Sequence, residues 1–213
     1  MNRKRVVCYG DSNTWGYCSL NGQRYEDDVR WTQRLAALLG EPYQVVEEGL
    51  CGRTTVFEDP LNEGLSGLMP LASILLSHSP LDLLVVMLGT NDCKERFSAN
   101  AQNIADGLLR LVNKARTIAA WRDVPRILIV APIVMDHRME QVPCICDEMG
   151  RDSVAKSEQL PEKMLEVAQK TGCAFMDSNP HVKPGPVDYM HFDIESNERF
   201  ARALAAEVRR LLG

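Results

Sequence analysis

Residues 81–88 form a nearly uninterrupted apolar run that stops abruptly at the polar sequence Gly-Thr-Asn-Asp. A strand that is apolar on both faces is typical of the centre of a parallel sheet, because helices cover such a sheet from both sides. Residues 6–9 and 43–48 follow a related pattern, since each β-type run ends at a glycine that introduces polar residues. This pattern predicts an α/β protein whose polar groups gather at one edge of the sheet.

Two further β-type runs, 127–131 and 173–177, alternate with helical patterns along the chain. The helical patterns cover 29–39, 68–76, 103–119 and 160–170, followed by a C-terminal helix capped by Ser196. This alternation predicts a doubly wound sheet of five parallel strands with right-handed crossovers and strand order 2-1-3-4-5. Residues 133–153 lack clear periodicity and are interpreted as a long loop or short helices. No linker or repeat divides the chain, which predicts one domain over residues 1–213.

Composition and charge narrow the functional class. With 213 residues, 45% of them hydrophobic, the chain is long enough to bury a full core. Its net charge of -5 and its lack of a Lys/Arg cluster argue against nucleic acid as a partner. Residues 1–5 are basic, but the apolar run at 6–9 is too short for the core of a signal peptide. No segment reaches the roughly 18 to 20 apolar residues that span a bilayer. We therefore expect a soluble, cytoplasmic protein with no membrane partner.

The cysteines form an odd, scattered set that suits reduced thiols better than a disulfide framework. They are Cys8, Cys18, Cys51, Cys93, Cys144, Cys146 and Cys173. Cys144 and Cys146, with His137 nearby, resemble half of a metal site, but a second ligand pair at zinc-like spacing is missing. We interpret this segment as a loop with two thiols, and we expect no metal.

Four polar clusters carry groups suited to serine acyl transfer. Ser12 supplies a hydroxyl, Gly52 a site where a backbone N–H can approach a ligand, Asn91 a neutral amide, and Asp188 and His191 an acid and an imidazole. Gly49 is a second place for such a backbone approach. The first three clusters follow successive strands, so they converge on one edge of a parallel sheet.

Each group has a role in that chemistry. The Ser12 hydroxyl needs a base, and His191 provides one if Asp188, three positions earlier, fixes its tautomer. The developing oxyanion needs fixed donors, which we assign to the backbone N–H of Ser12, the backbone N–H of Gly52 and the amide of Asn91. Taken singly, each residue also fits ordinary turn or capping chemistry. Only the ordered set indicates catalysis.

The four clusters, in this order, resemble the SGNH subgroup of the GDSL esterase and lipase family. They read Gly10-Asp11-Ser12, Gly49-Leu50-Cys51-Gly52, Gly89-Thr90-Asn91-Asp92 and Asp188-Tyr189-Met190-His191. The resemblance covers nearly the whole chain and implies a three-layer α/β/α flavodoxin-like fold. It also implies ester hydrolysis without a metal or other cofactor, with a Ser12, His191 and Asp188 triad and an oxyanion hole of Ser12, Gly52 and Asn91. Asn13 stands where the family name implies leucine, a position that does not carry the chemistry.

The stretches at 28–32, 47–50, 53–55 and 87–92 look like those of bacterial arylesterase and acyltransferase members. This similarity implies hydrolysis of short-chain acyl esters, transfer of the acyl group to alcohols, and assembly into homo-oligomers. The apolar-rich segment 133–153, costly to expose, also favours a homo-oligomer.

The substrate is expected to be a small molecule. Trp15, Met190 and Phe192 lie near the catalytic residues in sequence and are predicted to bind it, with core packing as the alternative. Without a basic anchor cluster, we expect a neutral ester with an acetyl-type acyl group. The alternative activity is that of a carbohydrate O-acetylesterase, and the alternative from another class is a catalytically silent binding or structural subunit. A mononucleotide-binding protein is disfavoured, because no G-x-x-x-x-G-K loop follows the first strand.

Overall fold

Within residues 3–213, which the computed structural model describes, five strands form one parallel sheet in the order β2-β1-β3-β4-β5. The first two residues of the basic start lie outside the described part. The strands are β1 at Lys4–Gly10, β2 at Tyr43–Gly49, β3 at Leu83–Met87, β4 at Ile127–Ala131 and β5 at Ala174–Asp177. The predicted α/β fold and its strand order are confirmed.

Helices cover both faces of the sheet. They are α1 at Ser12–Trp15, α2 at Trp31–Leu39, α3 at Leu71–Ser77, α4 at Ala101–Thr117, α5 at Pro143–Met149, α6 at Ser153–Thr171 and α7 at Ile194–Leu212. Of the helices in residues 3–213, none combines the length and the apolar character that a membrane crossing requires.

The strands alternate their side chains between two cores, as the pleat of a strand dictates. In β1, Val7 and Tyr9 pack with α3, α4 and α6, whereas Val6 and Cys8 pack with α2 and α7. All four side chains are fully buried. This double burial explains the nearly continuous apolar runs of the central strands, and it gives the three-layer α/β/α arrangement.

Two predicted helix starts are wrong. The inward spacing of Met164, Val167 and Ala168 predicted a helix from residue 160. In the structure α6 begins at Ser153 and carries Pro161 in its interior. The preceding part of segment 133–153 forms short helices, a 3₁₀ turn at His137–Gln141 followed by α5, which is one of the two predicted alternatives.

The cap of α7 is Asp193 rather than Ser196 as predicted. An Asp193 carboxylate oxygen accepts a hydrogen bond from the Ser196 backbone N–H at 2.7 Å, which satisfies one of the open donors of the first turn. The Ser196 hydroxyl instead bonds the backbone of Lys183, donating to its carbonyl at 2.9 Å. Ser196 therefore joins the start of α7 to the preceding loop.

Three neighbouring strands end at the same level of the sheet. Gly10 pairs with Gly49 on one side and with Met87 on the other. The loops that follow β1, β2 and β3 therefore meet at the carboxyl edge. At Gly49 a Cβ atom would lie 2.1 Å from the backbone nitrogen of Trp15, so glycine is required there for α1 to pack on the end of β2. Gly49 thus serves packing rather than approach to a ligand.

Candidate active site

Ser12 is the first residue of α1 and lies directly beyond the end of β1. Asp11 caps this short helix, because its carboxylate accepts the Asn13 backbone N–H at 3.1 Å. Burial raises the pKa of Asp11 to about 6, although the Asn13 hydrogen bond and the charge of His191 oppose that rise. The Ser12 residue is 8% exposed. The tight β1–α1 corner thus holds the hydroxyl at the floor of a cleft.

The hydroxyl belongs to a continuous chain of hydrogen bonds. The Ser12 Oγ lies 2.8 Å from the His191 Nε2, and the His191 Nδ1 lies 2.6 Å from the Asp188 Oδ2. The other Asp188 oxygen accepts the backbone N–H groups of Met190 and His191 at 3.1 and 3.0 Å. Burial raises the pKa of Asp188, but the hydrogen bond and charge of His191 outweigh it and lower the pKa below its usual value. An ionised Asp188 accepts from Nδ1 and leaves Nε2 free to accept the Ser12 proton.

Asn13 fixes the position of His191. Its side-chain oxygen accepts the Phe192 backbone N–H at 2.9 Å, and its amide donates to the Met190 carbonyl at 3.4 Å. The Asn13 carbonyl in turn accepts the Trp31 indole N–H at 2.8 Å. Asn13, which follows Ser12 in the chain, therefore binds the backbone of both sequence neighbours of His191, Met190 and Phe192. In the sequence analysis Asn13 was given no role. The signal for its positioning role is the amide that stands where the family name implies leucine.

Gly52 follows β2 and Asn91 follows β3, on the two sides of β1, and the two loops are joined through Arg53. The Asn91 amide donates to the Arg53 carbonyl at 3.2 Å, directly after Gly52, whose φ of +84° suits glycine. The Arg53 guanidinium donates to the Gly10 carbonyl at 3.0 Å and also to the Glu48 carbonyl. This residue therefore ties the loop after β2 to the ends of β1 and β2.

Asp92 fastens the same loop to the end of β3. Its carboxylate accepts the Thr55 backbone N–H at 2.9 Å and the Thr55 hydroxyl. Burial raises the pKa of Asp92 to about 7, despite these hydrogen bonds. Gly52 and Asn91 are therefore held by buried polar contacts on both flanks.

A cleft of about 320 Å³ brings most of the predicted site residues together, namely Ser12, Gly52, Asn91, Met190 and His191. Asp188 lies behind His191 and is almost fully buried. The two other residues predicted to bind substrate have different surroundings. Trp15 stacks against Arg24, whose guanidinium lies 5.4 Å from the ring centroid. Phe192 is 2% exposed and packs in the core against α7.

Other residues that line the cleft were not predicted from the sequence. Besides Cys51 and Asn62, six such residues line it: Tyr17, Leu65, Lys94, Ile145, Glu148 and Met149. The Tyr17 ring packs on the His191 ring with centroids 4.5 Å apart. Three of the six come from α5, in the segment whose pattern carried no periodicity. Their presence depends on long-range packing, which short sequence patterns do not encode.

Cys51 lines the cleft, but burial and the charge of Asp11 raise its pKa to about 11, so it stays protonated at neutral pH. All seven cysteines are free. The His137 ring nitrogens lie 3.6 and 3.2 Å from the carboxylates of Glu140 and Glu158. Among residues 3–213, no group of three or more His, Cys, Asp or Glu side chains is placed to hold a metal ion.

Residues 8–202 match the model of the GDSL-like lipase/acylhydrolase family. The match covers nearly the whole chain and agrees with the resemblance carried by the four sequence clusters. No curated protein matches the chain.

Three solved structures are similar over their full length. The native aryl esterase of M. smegmatis is 35% identical, with a TM-score of 0.88 over 98% of this chain and 100% of that one. Est24, a carbohydrate acetylesterase from Sinorhizobium meliloti, is 33% identical, with a TM-score of 0.89 over 98% and 100% of the two chains. A carbohydrate acetylesterase family member from the same organism is 35% identical, with a TM-score of 0.91 over 99% of each chain.

Proposed function

The chain belongs to the GDSL-like lipase/acylhydrolase family and is a carboxylic ester hydrolase, and we propose that it cleaves small, short-chain esters through a covalent intermediate on Ser12. The observation that carries this proposal is the hydrogen-bonded line from the Ser12 Oγ through His191 to Asp188. A serine hydroxyl is a weak nucleophile until an adjacent base removes its proton. His191 lies within hydrogen-bond distance to act as that base.

The reaction proceeds in two halves. In the first, the Ser12 Oγ attacks the carbonyl carbon while the His191 Nε2 takes its proton. The same nitrogen then gives this proton to the oxygen of the leaving alcohol, which breaks the ester bond and leaves an acyl group on Ser12. In the second half, a water molecule attacks the acyl group with His191 again as base. His191 then returns the proton to the Ser12 Oγ as the bond between this oxygen and the acyl group breaks and the carboxylic acid leaves. An alcohol that takes the place of water receives the acyl group instead, which is acyl transfer.

Asp188 acts through His191. Its ionised carboxylate holds the proton on the His191 Nδ1, which keeps Nε2 available as the acceptor, and it stabilises the imidazolium that forms during the attack. The lowered pKa of Asp188 supports this role, because the carboxylate stays ionised while His191 gains and loses a proton.

We assign three donors to the oxyanion. They are the backbone N–H groups of Ser12 and Gly52 and the side-chain amide of Asn91. One of the two Asn91 amide hydrogens bonds the Arg53 carbonyl at 3.2 Å, which leaves the other for the substrate oxygen. Removal of one such donor typically lowers kcat by about a hundredfold to a thousandfold.

The size and lining of the cleft support a small, neutral substrate. Its volume of about 320 Å³ is near the lower limit for ligand pockets. Leu65, Ile145, Met149 and Met190 give it apolar walls, and Lys94, its basic group, is already paired with Glu148 at 2.7 Å. An acetate or another short acyl ester fits these limits better than an anionic substrate.

We expect Ser12→Ala to lower the hydrolysis of 4-nitrophenyl acetate by about 10⁴-fold or more, because the nucleophile is lost. Ser178→Ala is the matched control, since Ser178 is also buried but lies beyond the end of β5. It should retain activity. Both rates are measured with circular dichroism as the check on folding. A folded Ser12→Ala variant that still hydrolyses the ester at the wild-type rate removes Ser12 from its role.

We expect Asn13→Leu to lower kcat by about tenfold to a hundredfold, because His191 loses the contacts that align it with Ser12. The matched control is Asn197→Leu, since Asn197 also accepts a buried backbone N–H, that of Trp31, at 3.0 Å. Each variant leaves one buried N–H unpaired and should lose about 1 to 3 kcal/mol of unfolding free energy. Urea denaturation measures the loss of unfolding free energy, and steady-state kinetics measures the loss of kcat. Equal kcat losses in both variants would contradict a positioning role for Asn13.

A carbohydrate O-acetylesterase is the second candidate function. The cleft carries the polar side chains of Asn62, Lys94 and Glu148, which are able to bond sugar hydroxyl groups. A structural neighbour is itself named a carbohydrate acetylesterase.

The two functions differ in the preferred alcohol. We expect phenyl acetate to exceed acetylated xylose in kcat/KM, once each value is divided by the rate constant for hydrolysis of the same ester by hydroxide. The apolar walls of the cleft suit an aryl group better than a hydroxylated sugar. A pH-stat follows both reactions. The reverse order supports the carbohydrate activity and contradicts our first proposal.

A further inference from the structure

One wall of the active-site cleft is formed by α5, which contributes Ile145, Glu148 and Met149. A helix of seven residues is too short to be stable on its own. Its position therefore depends on what it contacts. Met149 is buried in the core at the end of the helix, whereas Glu148 lies at the surface end of the cleft.

Glu148 joins α5 to the segment that follows Asn91. Its carboxylate oxygen Oε1 lies 2.7 Å from the Lys94 Nζ and 2.6 Å from the Arg96 Nη2. The same Arg96 nitrogen donates to the Glu148 carbonyl at 3.1 Å. The Lys94 side chain is 6% exposed and that of Glu148 is 49% exposed. Partial burial of the cations strengthens these ion pairs relative to fully exposed ones.

The end of the wall is fixed against the same segment. The Arg151 backbone N–H donates to the Glu95 carboxylate at 3.2 Å. Gly150 has a φ of +75°, and a Cβ atom there would lie 2.4 Å from the Glu95 Cβ. Residues 148–151 therefore contact residues 94–96 through ionic, backbone and close-packing contacts.

The direction of the substrate follows from the proposed function, on which this inference rests. The leaving oxygen must lie at the His191 Nε2 to receive its proton, which places the alcohol beside Tyr17 and Met190. The carbonyl oxygen lies at Asn91 and its partner donors. The remaining substituent of the carbonyl carbon is the acyl chain, and the part of the cleft lined by Ile145 and Met149 of α5 is left to hold it.

We propose that α5 is the wall that limits the length of the acyl chain, and that Glu148 is the positioning residue that holds this wall through Lys94 and Arg96. An aliphatic acyl chain longer than the cleft meets Ile145 and Met149. When the ion pairs of Glu148 are lost, the short helix moves away from the cleft more easily and longer acyl chains are admitted.

The test compares acyl chains of different length on one leaving group. In Glu148→Ala, the ratio of kcat/KM for 4-nitrophenyl hexanoate to that for the acetate should rise by about tenfold or more, the order of discrimination that a methylene group produces in an apolar pocket. Glu166→Ala is the matched control, since Glu166 is 51% exposed and pairs with Lys163 on the surface of α6. Its ratio should equal that of the wild type. A general loss of stability lowers both rates and leaves the ratio unchanged.

A second variant distinguishes the displacement of α5 from the effect of an unpaired charge in the cleft. Glu148→Ala alone leaves the Lys94 ammonium unpaired beside the cleft, so Lys94→Met combined with Glu148→Ala removes this charge as well. The double variant should show the same rise. An unchanged ratio in both variants contradicts the inference, and so does a rise for hexyl acetate without a rise for the hexanoate. The proposed function is tested independently, because it is contradicted by activity that persists in Ser12→Ala.

Discussion

The hydrogen bond between the Ser12 Oγ and the His191 Nε2 joins two parts of the chain that are 179 positions apart. One part is the corner at which β1 passes into α1, and the other is the turn before α7. Asn13 holds the two together, because its side chain binds the backbone on both sides of His191. The site therefore depends on the contacts of Asn13 with the turn before α7 as much as on the three side chains.

The loops after β2 and β3 depend on buried polar groups. Arg53 bonds the carbonyls at the ends of β1 and β2, and Asp92 bonds the backbone and hydroxyl of Thr55. A buried polar group that loses its partner costs about 1 to 3 kcal/mol, so these loops have few alternative positions of similar energy. In the proposed mechanism, this arrangement holds the Gly52 and Asn91 donors in place before substrate binds, and donors that need no rearrangement stabilise the oxyanion most.

The sheet could be predicted from the sequence because each strand is defined by a local pattern, and the parallel order follows from general rules of crossover connection. The same patterns placed Ser12 and Asn91 at the carboxyl edge. They did not predict the start of α6, because two of its three buried positions before residue 160, Ser153 and Ser157, are polar. They also did not predict that α5 forms a wall of the cleft. Glu148 lines the cleft through its contact with Lys94, a pairing that no spacing in the sequence indicates.

Labelling with a fluorophosphonate ester tests the central claim most directly, because the reagent reacts with an activated serine and stays bound to it. Peptide mapping by mass spectrometry then identifies the labelled residue. We predict a single phosphonyl adduct on Ser12 that appears as hydrolysis of 4-nitrophenyl acetate is lost, and that is absent in His191→Ala because the hydroxyl is no longer activated. An adduct on another residue, or full inhibition with Ser12 unmodified, would contradict Ser12 as the nucleophile.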